Sequence, residues 1–594
     1  MKYTDLKLLK FLLFNVHNIE EILKFPKHSD FDKETINMFL DAAKDLSDQE
    51  LYPYYQEFDE KPAVYEDGGI KIHPQFDKIF KAIVESGWVG AHFSPENGGM
   101  NLPHMVEGAA GHIYSAANNH VSGYLALTVG SANLITSFGT QEQIDTYVPK
   151  MLEASWMGTM CLTEPEAGSS LGNLRTTASP TDGGHYDIKG QKIFISGGDH
   201  QFAENFVHMV LARIDGAPKG SKGISLFIVP KYRIKDDGSL EFNDVLTAGD
   251  YQKMGQRGYC TAHLMFGEND DCRGWLVGEP NKGLKYMFQM MNQARLEVGM
   301  TATSIAMSSY YHSLQYAKER RQGKKLNDTG ERATEQALII EHPDVRRMLL
   351  LQKSVAVGSL SLLMESFKFY DIVENTEGDK KNDAFLILDL LTPIAKAYPS
   401  EYGLLAASNG VQVLGGYGFT VDFPQQQFLR DIRITSIYEG TTTIQSMDLL
   451  GRKITAQNGK ALLLLMERIN KDIAKAKESP VLEKYAGKLE EAIVVVQKTL
   501  EHLLPFAFQK KYQSYLKNAT LFLELFSHVA ISWQWLKIGI NSLESTDYNE
   551  NFNQGNILTM KYYFNYELPK INYLSDTILT AESVTVDDGN DYIN

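Results

Sequence analysis

The chain has 594 residues, 43% of them apolar and 22% charged, with a formal net charge of −16. That length exceeds one ordinary hydrophobic core, so roughly two to four domains are expected. An acidic surface without a compensating Lys/Arg run repels nucleic acid and anionic membranes, which argues against both as partners.

The first segment, residues 1–35, is an N-terminal extension holding Leu8, Leu9, Phe11, Leu12, Leu13 and Phe14 behind lysines. The run is as apolar as a short signal peptide. Lys10 interrupts it, however, no small-residue cleavage site follows, and Glu20 and Glu21 come next. The stretch Leu8 to Leu23 is read as an amphipathic helix packed on the body. Residues 36–158 are predicted as a helical domain. Met38, Ala42, Leu46 and Leu51 recur near helical spacing, as do Phe76, Ile79, Ile83 and Trp88.

The character changes near residue 159. In Lys192-Ile-Phe-Ile-Ser and Gly223-Ile-Ser-Leu-Phe-Ile-Val, β-branched and aromatic residues dominate, and Thr181-Asp-Gly-Gly and Asp236-Asp-Gly-Ser supply turns. Residues 159–282 are thus predicted as a middle β domain. Residues 283–456 return to helical spacing, with Met287, Met290, Met291, Ala294 and Val298 on one stripe. The polar stretch 322–341 is read as a loop, and His342-Pro343-Asp344 as a helix start.

Residues 457–594 form an extra helical domain and tail. Leu489, Ile493, Val496, Leu500 and Leu503 make one stripe, and Phe522, Leu525, Phe526, Val529, Trp533 and Leu536 another. These are core faces of a small bundle, which is expected to cover the surface of a dimer. Residues 521–540 are about long enough to span a bilayer. Glu524, His528, Gln534 and Lys537 would then lie in hydrocarbon, so a buried helix without a membrane span is the reading. The tail with Asp587, Asp588 and Asp591 is expected to fray. The fold class is α+β, mostly α: an N-terminal helical domain, a middle β domain, a C-terminal helical bundle and an extra C-terminal helical domain.

Only three cysteines are present, Cys161, Cys260 and Cys272, at spacings that match neither a zinc site nor a disulfide framework. Their scarcity suits a reducing cytoplasm, and no metal is expected. No Gly-x-Gly-x-x-Gly follows a strand and no Walker lysine occurs, which argues against a nicotinamide-binding domain. The glycines that stand out lie in Cys161-Leu-Thr-Glu-Pro-Glu-Ala-Gly-Ser-Ser170, Ser196-Gly-Gly198 and Gln412-Val-Leu-Gly-Gly-Tyr-Gly418. Taken alone they read as a turn, a tight bend and a helix end.

Together with Met254-Gly-Gln-Arg257, Glu319-Arg320 and Leu429-Arg-Asp-Ile-Arg-Ile-Thr-Ser-Ile-Tyr-Glu-Gly-Thr441, in this order, they resemble the acyl-CoA dehydrogenase family across residues 36–456. The N-terminal extension, Ile195-Ser-Gly-Gly-Asp-His200, His342-Pro-Asp-Val-Arg-Arg-Met-Leu349 and the appendix after 457 resemble its C-terminally extended subgroup, which includes 3-methylmercaptopropionyl-CoA dehydrogenase.

The resemblance implies FAD as cofactor. Leu162, Thr163, Gly168 and Ser169 match the segment lining the flavin ring, and Ser169 also matches a substrate contact. Phe194 and Ser196 match an aromatic and a hydroxyl residue beside the ring, where many members carry Trp and Thr. Arg320 matches the arginine that binds the FAD pyrophosphate of a neighbouring subunit; Gln322 falls where the family often has Thr. Gln412 and Gly416 match a loop reaching the FAD from the partner, and Thr441 a further flavin contact. These positions imply a homodimer or a dimer of dimers. Asn292 and Arg295 match a helix bordering CoA; the ordinary alternative for Arg295 is an internal ion pair.

The implied reaction is α,β-dehydrogenation of an acyl-CoA to a trans-2-enoyl-CoA. Glu439 matches the base that removes the α-proton, flavin N5 receives the β-hydride, and Gly440 lets the backbone pass close to the thioester. Some members place the base on the earlier helix, just before the position of Arg295; here that position is Ala294, and Glu297 points elsewhere. The expected electron acceptor is an electron-transfer flavoprotein. The alternatives are an acyl-CoA oxidase using O2 and a flavin-containing binding protein without dehydrogenase activity.

Overall fold

The computed structural model describes residues 2–327, 329–582 and 584–586; the tail positions Asp587, Asp588 and Asp591 lie outside the described residues. The chain forms two compact units, one of Lys33–Glu297 and one of Met1–Asp32 with Val298–Asn594.

The chain opens with a short helix, α1 (Leu6–Lys10), which widens into looser turns over Phe11–Val16. Leu8, Leu9, Phe11, Leu12, Leu13, Val16, Ile19 and Ile22 are all buried. The expected single amphipathic helix is therefore corrected. Apolar residues on nearly every side ask for cover all round, and Asn18 at φ 48 breaks the helix before Ile19. The segment belongs with the C-terminal half. The His17 ring nitrogens lie 2.9 Å from Glu365 Oε2 and 2.9 Å from Ser361 Oγ.

The Lys33–Glu297 unit begins with α2 (Lys33–Leu46), α3 (Tyr55–Glu60), α4 (Gln75–Glu85), α5 (His104–Ala117), α6 (Asn119–Phe138) and α7 (Gln141–Leu152). On α2 the buried face is Ile36, Leu40 and Ala43, while Met38 is 66% exposed. The stripe read through Met38 and Ala42 is the neighbouring row of the same helix; the better-spaced Ile36–Leu40–Ala43 row packs instead. Between α3 and α4 lies a hairpin of β1 (Val64–Glu66) and β2 (Gly69–Lys71) that helical spacing does not show.

The middle sheet holds β3 (Trp156–Cys161), β4 (Thr177–Pro180), β5 (Tyr186–Ser196), β6 (Asn205–Ile214), β7 (Ile224–Pro230), β10 (Val245–Asp250), β11 (Thr261–Phe266) and β12 (Arg273–Val277); β8 (Tyr232–Ile234) and β9 (Leu240–Phe242) pair apart from it. Its order is β10-β11-β5-β12-β7-β6-β3, with β4 beside β5 and β6. Strand β7 is buried throughout and β6 nearly so, which explains their continuous apolar runs.

The helix α8 (Gly283–Glu319) follows, and from Val298 its residues belong to the other unit. There α9 (Pro343–Asn375) starts with Pro343 in its first turn, as the sequence predicts. Next come α10 (Gly378–Leu414), α11 (Gly416–Phe419), α12 (Gln425–Ile432) and α13 (Thr442–Asp448). The appendix adds α14 (Lys460–Lys477), α15 (Glu483–Phe508), α16 (Tyr512–Leu516), α17 (Ala519–Glu544), α18 (Glu550–Tyr562) and α19 (Lys570–Thr580). Both appendix stripes are buried inside this unit, where α17 packs on α9, α15, α18 and α19. The chain itself covers these faces, which removes the reason for assigning them to a dimer surface.

Among the described residues one helix, α9, is long and apolar enough to cross a membrane, and 89% of its apolar window is buried in the protein. The 521–540 stretch lies in α17, a buried helix whose ionisable side chains all meet polar partners inside the protein. Glu524 and His528 each bond the Tyr402 hydroxyl at 2.7 Å, Gln534 accepts from Ser361 at 2.8 Å, and Lys537 pairs with Glu365.

Candidate active site

The flavin-lining segment predicted at residues 162–169 follows directly on β3 and is held from below by a buried ion pair. Lys192 on β5, fully buried, donates to Glu164 Oε1 at 2.8 Å and to the Leu162 carbonyl at 3.1 Å. Glu164 also accepts from the amides of Arg175 and Thr176 at 2.6 and 3.1 Å. A tight turn closes between Glu164 and Ala167, each donating to the other's carbonyl at 3.0 Å. Leu162 and Thr163 are left half-buried at the rim, and Gly168 and Ser169 exposed beyond it.

Phe194 and Ser196 stand beside this turn on β5. Opposite β11 the register shifts between Ala262 and Leu264, so β5 carries one extra residue there. Phe194 sits in that bulge at φ 58 and is 56% exposed, its ring against Tyr251 with centroids 4.5 Å apart. A bulge re-aims a side chain off the sheet. The amide of Ile193 donates to the Thr163 carbonyl at 2.9 Å, which ties bulge and turn together. Ser196 pairs in register with Thr261 and is half-buried. An exposed aromatic residue on the same strand as Ser196 and tied through Ile193 to Thr163, with a rim of open backbone, fits one face and the polar edge of an isoalloxazine ring.

On α8 the predicted CoA-side residues meet each other, with buried Arg295 donating to Asn292 Oδ1 at 3.3 Å. Ala294 is buried, and Glu297 accepts from Gln293 at 3.1 Å. Nearby in this unit, His92, His104 and Glu107 place ligand-type atoms within 4.8 Å of one another. The carboxylate faces His92 Nδ1 at 2.9 Å and His104 Nδ1 at 3.3 Å, so hydrogen bonds account for the cluster.

In the other unit, α12 runs into a tight turn at Arg433–Ser436, then Glu439 and Gly440, and then α13. Glu439 is half-buried at φ 53 and Gly440 follows at φ 88. Thr441 caps α13, its hydroxyl accepting from the Ile444 amide at 3.4 Å. Lys396 and Gln445, which the sequence reading passed over, both reach this turn. Lys396 Nζ donates to Gly440 O at 2.9 Å, and Gln445 Nε2 to Glu439 O at 3.0 Å. A lone lysine inside the apolar run Thr392-Pro-Ile-Ala-Lys-Ala-Tyr398 is the signal that could have exposed it.

The four residues expected to reach a neighbour's cofactor converge. Arg320, Gln322, Gln412 and Gly416 line one open groove of about 580 Å3, with Tyr316, Gly415, Tyr417 and Thr420. The loop 322–341 closes on itself there, Gln322 N bonding Ala337 O at 3.0 Å and His342 Nε2 the Gln322 carbonyl at 2.7 Å. Ala317, Ile339, Met348, Leu349, Val413 and Leu414 form an apolar floor. Gly415 and Gly416 leave open space where a Cβ would stand. A guanidinium, two amides and bare backbone fit an anionic pyrophosphate. On these observations both surfaces fit FAD.

Comparison with known proteins agrees in sequence order. Residues 33–155, 159–268 and 281–454 match the N-terminal, middle and C-terminal domains of acyl-CoA dehydrogenases, and 465–587 match the acetyl-CoA dehydrogenase C-terminal-like domain. The chain is 37% identical to the 3-methylmercaptopropionyl-CoA dehydrogenase of Ruegeria pomeroyi, over 82% of this chain and 81% of that one. It is 32% identical to the broad-specificity linear acyl-CoA dehydrogenase FadE5 of Mycobacterium tuberculosis, over 96% of each. An acyl-CoA dehydrogenase from Bacillus anthracis, solved with FAD, shares the fold with a TM-score of 0.74 at 21% identity, over 96% of this chain and 91% of that one. The chain belongs to the acyl-CoA dehydrogenase family and is an FAD-dependent oxidoreductase.

Proposed function

We propose that the protein converts an acyl-CoA to its trans-2-enoyl-CoA, with Glu439 as the base. The observation that carries this reading is the Glu439 turn, a half-buried carboxylate on a backbone in the left-handed region. Positive φ at a non-glycine residue is uncommon and costs free energy, and it clusters at working sites. The α-hydrogen of a thioester is weakly acidic, so a base must stand within hydrogen-bonding reach. Glu439 takes the α-proton, the C–H electron pair becomes the new α,β double bond, and the β-carbon releases hydride. Bound FAD supplies the two-electron acceptor for that hydride. By the family resemblance, Leu162, Thr163, Gly168, Ser169, Phe194 and Ser196 would hold its ring and Ser169, Asn292 and Arg295 would face the thioester, and in the other unit Thr441 and Gly440 match a ring contact and a thioester contact. Arg320, Gln322, Gln412 and Gly416 hold the pyrophosphate end of a cofactor belonging to a second copy of the chain, which makes the enzyme at least a homodimer. An electron-transfer flavoprotein is the electron acceptor.

Glu439→Gln keeps the carboxyl's shape and removes its basicity. The variant should retain FAD and lose bleaching of the flavin by every acyl-CoA in a panel of chain lengths; wild-type bleaching would refute the assignment. The same panel, with 3-methylmercaptopropionyl-CoA and branched thioesters included, determines the acyl group. Arg320→Ala should weaken FAD binding by about tenfold or more in fluorescence titration, with little change in melting temperature, because a charge-assisted phosphate contact is lost from an exposed side chain.

A further inference from the structure

We propose that Lys396 and Gln445 are positioning residues for Glu439, acting as a clamp on the Glu439–Gly440 turn; this rests on Glu439 being the proton-accepting base. Both side chains are fully buried. An ammonium in such a place is costly unless a strong acceptor meets it, and Lys396 Nζ meets Gly440 O at 2.9 Å. Gln445 Nε2 donates to Glu439 O at 3.0 Å and to Gly440 O at 3.2 Å. Two buried donors thus converge on two successive carbonyls, in a turn whose residues sit at φ 53 and φ 88. Fixing those carbonyls fixes the rotation of both peptide planes. The plane carrying Glu439 O adjoins the Glu439 Cα, so its rotation sets the direction in which that side chain leaves the backbone, and the plane carrying Gly440 O anchors the far end of the turn.

The flanks are held from the same sides. One turn of α10 beyond Lys396, Ser400 Oγ donates to the Thr435 carbonyl at 3.1 Å, and Glu401 accepts from the Thr442 hydroxyl. Gln445 stands on α13, the helix that Thr441 caps, so its amide and the turn it grips form one rigid piece. Proton transfer falls steeply with small displacements, about 100-fold for 1 Å. A base on a strained turn therefore needs such a clamp to stay aligned.

The test uses the FAD-loaded enzyme and the straight-chain acyl-CoA, from butyryl- to palmitoyl-CoA, that bleaches the wild type fastest. Lys396→Met and Gln445→Met each remove a donor and keep an unbranched side chain. The single-turnover bleaching rate per flavin-loaded site should fall about 10- to 100-fold. Acyl-CoA affinity should stay within about threefold, and the isotope effect with α-deuterated substrate should rise, because proton removal has become slower. A structural role alone would lower the melting temperature and leave the rate per loaded site unchanged; that result in Gln445→Met overturns the clamp. If Lys396→Met does not fold, Gln445→Met and Lys396→Gln carry the test, the latter keeping a neutral donor and an intermediate rate. Glu439→Gln run alongside separates the two ideas. An inactive Glu439→Gln with fully active clamp variants sinks only the clamp, whereas a fully active Glu439→Gln sinks the base assignment and the clamp with it.

Discussion

Phe194 carries a local cost that its neighbours do not. A bulky aromatic at φ 58 stores about 1–3 kcal/mol of backbone strain, and with 56% of the residue exposed, packing returns little of it. Phe194→Gly should therefore leave the melting temperature unchanged or raise it, while FAD affinity falls for want of the ring. Scanning fluorimetry and FAD titration read the two effects separately; a marked drop in melting temperature would show that no strain resides there. Gly440→Ala has the opposite sign. At φ 88 an added Cβ would stand 2.7 Å from Gln445 Nε2, so strain and a displaced amide should cost about 1–3 kcal/mol and most of the bleaching rate. Glu439 could be singled out as a candidate in the sequence because its thirteen-residue context, 429–441, is distinctive; its role as base is what we propose. The bulge at Phe194 was not, because it depends on the register between β5 and β11, which neither strand encodes alone.

The segments of the β domain are joined by the Lys192–Glu164 pair, which links β5 to the turn after β3. Burial pulls the Lys192 ammonium down. It also works against the Glu164 carboxylate, but Lys192, the Thr176 hydroxyl and the Arg175 amide outweigh it and hold Glu164 below the usual carboxylate range. Removing one partner of a buried pair leaves the other charge stranded, at about 3–5 kcal/mol. Lys192→Met should lower the urea midpoint accordingly and release FAD, because the 162–169 segment loses its anchor. Unchanged stability with intact flavin would show that the pair is dispensable. Most elements were readable in order, since helices with one apolar face and buried strands announce their own period. The hairpin at Val64–Lys71 was not; β1 is exposed throughout and has no alternation to read. On α2 two adjacent rows both carry apolar residues, and spacing alone did not say which would face the core.

At the scale of the whole chain, the division into units follows long-range polar contacts that local pattern cannot carry. His17 reaches Glu365 across 348 residues, and this places the N-terminal segment with the C-terminal helices. Such contacts also make stability depend on pH. Burial holds six histidines neutral. His17 and His312 are lowered to about 4, and His112, His200, His208 and His528 to about 3; nearby Lys537 adds to the effect at His17. Three lie in each unit, so neither is spared. In the unfolded chain each titrates near the ordinary value of 6.5. Between that value and the folded one, the unfolded state binds more protons, so stability rises with pH and is lost as pH falls. The slope is about 1 kcal/mol per histidine per pH unit below 6.5. Melting temperature should thus be nearly flat from pH 7 to 8 and fall steeply from pH 6.5 towards 4. Calorimetry at pH 5.5 in buffers of different ionisation enthalpy should register uptake of several protons on unfolding. Uptake of less than one proton would mean that these imidazoles are already charged in the folded protein, and that burial does not hold them neutral.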